Sequence, residues 1–260
     1  MGSFANPMHN YQITEEERLR FIEARERALD EERDTHLVGT LGEKPVHKTL
    51  KYFLEPDRKR HEIKYNSFIL DVMRDGEAFE VQTRAFDRLV PKLEGLTEHF
   101  RVTVVYPVIR ERRLIWIAPE DGTAHPPRKV SKKRKISDIL PELSKIKDFI
   151  GNENLTIRIY VISADEYRML DGYGAEKKKR ATKYTIIPTD IFEVRELCSR
   201  EDCRMLIPEK LTETFTAKQF YSAIGMRGRR ACFALDLLRN FGLIKIVGKL
   251  GNAYLYEKEN

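Results

Sequence analysis

The stretch FILDVMRDGEAFEVQT, residues 68–83, constrains the fold more tightly than any other part of the chain. Two short apolar runs flank Asp75-Gly76, a dipeptide suited to the positive backbone angles of a tight hairpin turn. Each predicted arm carries one carboxylate, Asp71 and Glu80. Side chains alternate faces along a strand, so Asp71 shares a face with Ile69 and Met73, and Glu80 shares one with Gln82. A turn at Asp75-Gly76 sets Asp71 nearly opposite Glu80. Matching faces would bring the two within a few ångströms, and a one-residue slip would part them. Two negative charges that close repel unless something positive sits between them. A divalent cation with oxygen ligands and open water positions, such as Mg²⁺, is the natural occupant. It can activate bound water and stabilise charge on a phosphodiester in transfer. The plainer alternative is two exposed strand carboxylates on a solvated face.

The surrounding elements follow from spacing. Thr14 and Glu17 form a capping box opening a helix over 14–34, with Leu19, Phe21, Ile22 and Leu29 as a ragged apolar stripe. Gly42 precedes a second helix that carries Val46, Leu50, Phe53 and Leu54 on one face and stops near Glu55-Pro56. HEIKY (61–65) predicts a strand and Asn66-Ser67 a tight turn. The hairpin arms are 68–73 and 78–86, and 87–100 has helical spacing at Leu89, Leu93 and Leu96. RVTVVYPVI (101–109) predicts a buried strand, and RLIWIAP (113–119) one more, with Trp116 in the core. Beyond a Pro- and Lys-rich loop, 136–151 predicts a helix, 155–170 a strand running into a helix, and 175–191 a basic loop and a strand.

Glu43 at the head of the second helix, Asp71 on one strand, Glu80-Val81-Gln82 on the next, then a helix and a buried strand, resemble the PD-(D/E)XK nuclease superfamily. This is the restriction-endonuclease-like fold, which also includes archaeal Holliday-junction resolvases. The resemblance covers about residues 39–118 and rests on a short motif combined with element order. It implies an α/β fold with a mixed sheet flanked by helices. It further implies that Asp71 and Glu80 bind Mg²⁺ (or Mn²⁺), that Glu43 assists, and that the Val81 main-chain carbonyl joins the metal shell. Two positions depart from the pattern. Leu70 replaces the Pro before Asp71, an ordinary variation, and Gln82 stands where a Lys is expected. Lysine would offset developing negative charge; glutamine can position water through its amide but brings no charge. Some restriction-enzyme branches resemble this chain in using Gln there. Lys64 on the neighbouring strand is a candidate substitute cation, Glu62 a candidate substitute for Glu43, and Thr83 a candidate hydrogen-bonding partner. His47 and His61 are single histidines of the kind that usually serve structure.

Charge distribution bears on the partner. The net charge is +6 over 260 residues, and RKVSKKRK (128–135), EKKKRATK (176–183) and RGRR (227–230) concentrate the excess. Any one run could be a solvated loop; three in one chain favour a polyanion. The tail, 207–260, predicts a helix, a second helix capped by Thr216, a third at 228–241 buried on Ala231, Leu235 and Leu238, and a hairpin turning at Gly248 and Gly251. This order resembles a winged helix-turn-helix domain. That resemblance implies that the third helix enters the major groove of DNA, with Arg227, Arg229 and Arg230 at its start, and that Lys245 and Lys249 of the wing touch the backbone. Gln219 and Tyr221 are further candidates for phosphate contacts, or ordinary surface.

Three segments are expected: an N-terminal helical piece (1–38), a nuclease-like domain with an extension (39–206), and the winged tail (207–260). No apolar run of about 18 residues predicts a membrane span, and the N-terminus lacks the basic flank and apolar core of a signal peptide. Cys198, Cys203 and Cys232 form no disulfide framework and suit a reducing cytoplasm; the Cys198–Cys203 pair lacks the further ligands of a zinc site. The expectation is a cytoplasmic, Mg²⁺-dependent DNA endonuclease with a DNA-binding tail, which the nuclease resemblance allows to pair as a homodimer. The alternatives are a non-catalytic DNA-binding regulator on an inactive nuclease-like scaffold, and an RNA-binding or RNA-processing protein.

Overall fold

A computed structural model of the chain describes residues 10–34, 44–131, 133–173 and 180–259. A large mixed sheet forms its body. The strands are β1 (Asn10–Gln12), β2 (His61–Tyr65), β3 (Phe68–Arg74), β4 (Glu77–Val81), β5 (Arg101–Ile117), β6 (Arg128–Lys129), β7 (Leu155–Met169) and β8 (Thr182–Leu197). They run in the order β1-β8-β7-β5-β4-β3-β2, with β6 on the edge of β5. The pairs β4–β5 and β5–β7 are parallel; the others are antiparallel. The hairpin β3–β4 closes where predicted, with positive φ at both Asp75 (51°) and Gly76 (79°), as a right-twisted hairpin prefers.

Alternation on the central strands sends apolar side chains to both faces, so both must be covered. Phe79, Val81, Val105 and Tyr160 face the helices α1 (Glu15–Asp34) and α2 (Pro45–Leu54). Val46, Leu50, Phe53 and Leu54 of α2 are buried there, as their spacing predicts. On α1 the docked positions are Phe21, Ala24 and Ala28, whereas Leu19 is exposed: small residues let the two helices approach closely. The opposite face, with Ala78, Val104 and Ile159, packs against α3 (Val90–Leu96), α4 (Leu140–Leu143) and the tail.

The tail contains β9 (Thr214–Thr216), α5 (Ala217–Ile224), α6 (Arg229–Asn240), β10 (Ile244–Leu250) and β11 (Ala253–Lys258), with a separate sheet in the order β10-β11-β9. Its first predicted helix is absent: a 3-10 helix at Glu201–Leu206 and the strand β9 take its place. Ala231, Leu235 and Leu238 of α6 are buried as expected, and α6 packs on α4. Leu235 and Phe220 belong to one continuous core with Leu93 and Val104 of the body.

Several boundaries differ from prediction. The two strands expected at 101–109 and 113–119 are one, β5, because Arg112 and Arg113 carry the pairing onward by bonding Glu166 (2.6 Å) and Asp165 (2.6 and 2.7 Å) of β7. The helix expected at the end of 155–170 is strand, held between β5 and β8. The helix expected over 136–151 reduces to a 3-10 turn at Ile136–Ile139 and the four residues of α4.

Candidate metal and nucleic-acid site

The sheet ladder is interrupted around Asp71. Pairing of β3 with β4 runs through Val72↔Phe79, and one further step would oppose Asp71 to Glu80. There the Asp71 side chain takes the place of backbone pairing: its Oδ2 accepts the Val81 N–H at 2.8 Å. The same oxygen accepts from His47 Nε2 of α2 at 3.1 Å. The Asp71 Oδ1 has no hydrogen-bond partner among the described residues. On the other side the β2–β3 register skips Glu62, which has φ of 53°. A non-glycine residue there stores strain on the order of 1–3 kcal/mol, the kind of outlier that gathers at functional sites. The Glu62 carboxylate turns to Arg58 (2.7 Å) and Lys51 (3.1 Å).

Glu80 lies on the same short strand and is only 1% exposed. Lys92 of α3 reaches over it, with Nζ 2.8 and 2.7 Å from its two carboxylate oxygens and 2.5 Å from the Ile69 carbonyl. Burial pushes the Glu80 carboxyl up to about 7, and the Asp71 charge pushes the same way; Lys92 opposes both. Burial also works against ionised Asp71, but the His47 hydrogen bond and charge, the Val81 N–H and Lys51 outweigh it and hold that carboxyl below its usual range. The pair is therefore asymmetric: one acid firmly ionised, its neighbour poised between forms. Burial is the larger cause at Glu80, with the Asp71 charge second.

Gln82 donates its N–H to the Val105 carbonyl at 2.8 Å, so its main chain points toward β5. Hydrogen-bonding directions alternate along a strand, which turns the Val81 carbonyl, like its N–H, toward the gap beside Asp71. The candidate donors are all oxygens: Asp71 Oδ1, the Val81 carbonyl and the Glu80 carboxylate, the last held by Lys92. Such a set fits a hard divalent cation. Among the described residues no three His, Cys, Asp or Glu side chains cluster to hold a metal, and Glu43 lies outside those residues. The Gln82 side chain is half-buried with no hydrogen bond among the described residues, while Lys64 is exposed.

Of the residues at this site, Lys92 carries no signal in the sequence pattern, and His47 stands out there only as a single histidine. Lys92 is 12 positions from Glu80, on the flank of the Leu89–Leu93–Leu96 stripe, and only the fold of α3 across β3 and β4 brings it there. His47 shows itself only once α2 is docked on the sheet.

The tail charges are less uniform than the sequence suggests. Arg227, Arg229 and Arg230 are exposed and form no ion pair among the described residues. Lys245 is neutralised within its own hairpin by Glu257 (3.4 Å) and Glu259 (3.1 Å). Lys249 lies over the Tyr254 ring, 5.3 Å from its centroid. Gln219 completes the Thr216 capping box, and Tyr221 donates to Cys232 Sγ at 3.4 Å, so each has an internal role. No helix among the described residues is long and apolar enough to cross a membrane.

The family described as a domain of unknown function, DUF8091, matches residues 44–198, which span α2 through β8 and contain Asp71, Glu80 and Lys92. An uncharacterized protein of Treponema pallidum (strain Nichols) is 30% identical over 227 residues, covering 85% of this chain and 88% of its own length. No solved structure matches.

Proposed function

The chain belongs to the DUF8091 family, and we propose that it is a divalent-metal-dependent DNA endonuclease with a DNA-binding tail. The observation that carries this is the pair of carboxylates at the broken ladder between β3 and β4, Glu80 buried and Asp71 half-buried with an unused oxygen. The order α2-β2-β3-β4-α3-β5 supports a restriction-endonuclease-like body. The α5–α6 pair followed by the β10–β11 hairpin supports a winged helix in which the first helix is replaced by a 3-10 turn.

Asp71, Glu80 and the Val81 carbonyl would hold Mg²⁺ or Mn²⁺. A bound ion of this kind supplies Lewis acidity and activated water for phosphodiester hydrolysis. His47 fixes the Asp71 carboxylate so that one oxygen stays free. Lys92 brings the positive charge that Gln82 lacks, from a helix instead of the strand. Its flexible stem lets it leave Glu80 and hold a proton near the scissile phosphate. Gln82 orients the attacking water through its amide.

The test is cleavage of plasmid and branched DNA in a Mg²⁺ and Mn²⁺ titration, with Asp71→Ala beside the native protein. Metal-dependent nicking that disappears in the variant is the expected result. Intact DNA binding with no cleavage by the native protein would leave the second reading, a non-catalytic DNA-binding protein. The neutralisation of Glu80 by Lys92 is the observation that favours it. Tighter binding to RNA than to duplex DNA at equal salt would instead point to an RNA partner.

A further inference from the structure

The edge of β5 that faces β4 is shared by two short partners. β4 pairs with it only as far as Val105, and β6 resumes at Arg113, while β7 occupies the other edge throughout. Between them lie residues 106–112, roughly 23 Å of strand at about 3.3 Å per residue. The chain from β6 back toward α4 runs beside this gap. Val130 donates to the Arg112 carbonyl (2.8 Å), Lys133 pairs with Glu111 (3.1 Å), and Lys135 donates to the Ala223 carbonyl of α5 (2.6 Å). The last bond ties this segment directly to the tail.

The charges along the segment are of two kinds. Lys129 and Lys133 are offset by Glu111, and Lys135 is spent on Ala223. Arg128 and Arg134 are exposed and have no acidic partner among the described residues. Arg134 and Arg230 of α6 both lie near enough for their charges to act on Tyr106, the residue beside the end of β4, opposed there by Asp138 and Glu142. Arg134 acts also on Lys183, together with Lys44 and Arg112, against Glu166, which pairs with Arg112. Cations gathered in this way repel one another, and the cost is recovered when an anion spans them. The carboxylate site lies at the C-terminal end of β4, where ligands of open α/β sheets commonly bind.

We infer that Arg128, Arg134 and the start of α6 form one phosphate-binding strip, along which a DNA duplex backbone runs from Arg230 past Arg134 to Asp71 and Glu80. This rests on the nucleic-acid reading above and adds the path. The rigid docking of α6 on α4, within one core, means that both ends of the strip engage the same duplex without a hinge. The backbone is drawn along the arginines, past Glu111, whose charge Lys129 and Lys133 offset, toward the carboxylates of Asp71 and Glu80.

The experiment measures binding of a fluorescent duplex of about 20 base pairs in EDTA across a salt series, for the native protein and for Arg128→Ala, Arg134→Ala and Arg230→Ala. Each removed phosphate contact lowers the slope of log affinity against log salt by about 0.9. A fall of that size for Arg134→Ala and Arg230→Ala, with unchanged melting temperature, is expected. A native slope for Arg134→Ala overturns the strip, even if Arg230→Ala binds weakly. Failure of the native protein to bind overturns it as well. Cleavage in Mg²⁺ is scored separately. Cleavage with unaltered slopes keeps the nuclease and discards the strip; reduced slopes without cleavage keep the strip and discard the nuclease.

Discussion

The carboxylate end of the sheet and the arginine end of the tail carry charge under opposite conditions. Glu80 is almost fully buried, and its ionised form needs Lys92 on both oxygens. Asp71 replaces a missing rung of the sheet, and losing it would strand the Val81 N–H. Arg227, Arg229 and Arg230 stand in water and are bound to nothing among the described residues. Buried charge is costly to a fold, so its presence calls for a use; exposed charge costs little and gains meaning only from its position. Substitutions at the two ends should therefore fail differently.

Asp71→Asn should give the largest effect on activity. The amide still offers an oxygen to the Val81 N–H, so folding is largely retained, but the negative charge is lost. Metal-dependent cleavage should fall about a thousandfold or more, roughly 4 kcal/mol of barrier, measured as plasmid nicking. Unchanged nicking would move the chemistry elsewhere.

Lys92→Met should dominate stability. Breaking a buried pair costs about 3–5 kcal/mol, and the lower end applies because Lys92 is partly exposed. The sign with pH is fixed by Glu80, whose carboxyl is already raised from 4.5 to about 7. Between those values the folded chain holds a proton that the unfolded chain has released. This group's stabilising contribution is therefore complete below about pH 4.5 and is lost as pH rises through 7. Removing Lys92 steepens that loss, so urea midpoints of the variant and native proteins should diverge with rising pH. Adding Glu80→Gln should restore most of the difference. A pH-independent gap would mean that Lys92 acts through packing alone.

Arg229→Ala with Arg230→Ala should do the reverse. Stability should shift by no more than about 0.5 kcal/mol, while the salt slope of duplex binding drops by about 2. A large loss of stability would show that these arginines hold the tail together.

The hairpin was legible because period-2 patterning and Asp75-Gly76 agree, and the α2 face because its helical spacing is clean. The sequence predicts two strands in place of β5 since Arg110, Glu111, Arg112 and Arg113 look like a loop. The partners of the three arginines, Glu193, Glu166 and Asp165, come from β7 and β8, more than fifty residues away. β7 departs from prediction in the same way at Ala164–Met169, where pairing on both edges overrides a mixed polar pattern. Of the candidate site, the two carboxylates could be found from register. Lys92 and His47 could not, because they approach from helices whose crossing over the sheet depends on long-range packing.

The smallest expected effect sharpens the contrast at the tail. Thr216 and Gln219 cap α5 reciprocally: the Thr216 N–H donates to Gln219 Oε1 at 2.7 Å, and the Gln219 N–H donates to Thr216 Oγ1 at 3.4 Å. Thr216→Ala removes one of these bonds and should cost about 1 kcal/mol in thermal or urea unfolding. The Gln219 amide oxygen is engaged in the cap, so duplex affinity and its salt slope should stay native at 25 °C. If Thr216→Ala instead lowers the slope as an arginine substitution does, the cap is orienting a residue that touches phosphate. The division between buried, structural polar groups and exposed, ligand-seeking ones would then fail for the tail, while remaining testable at Asp71 and Glu80.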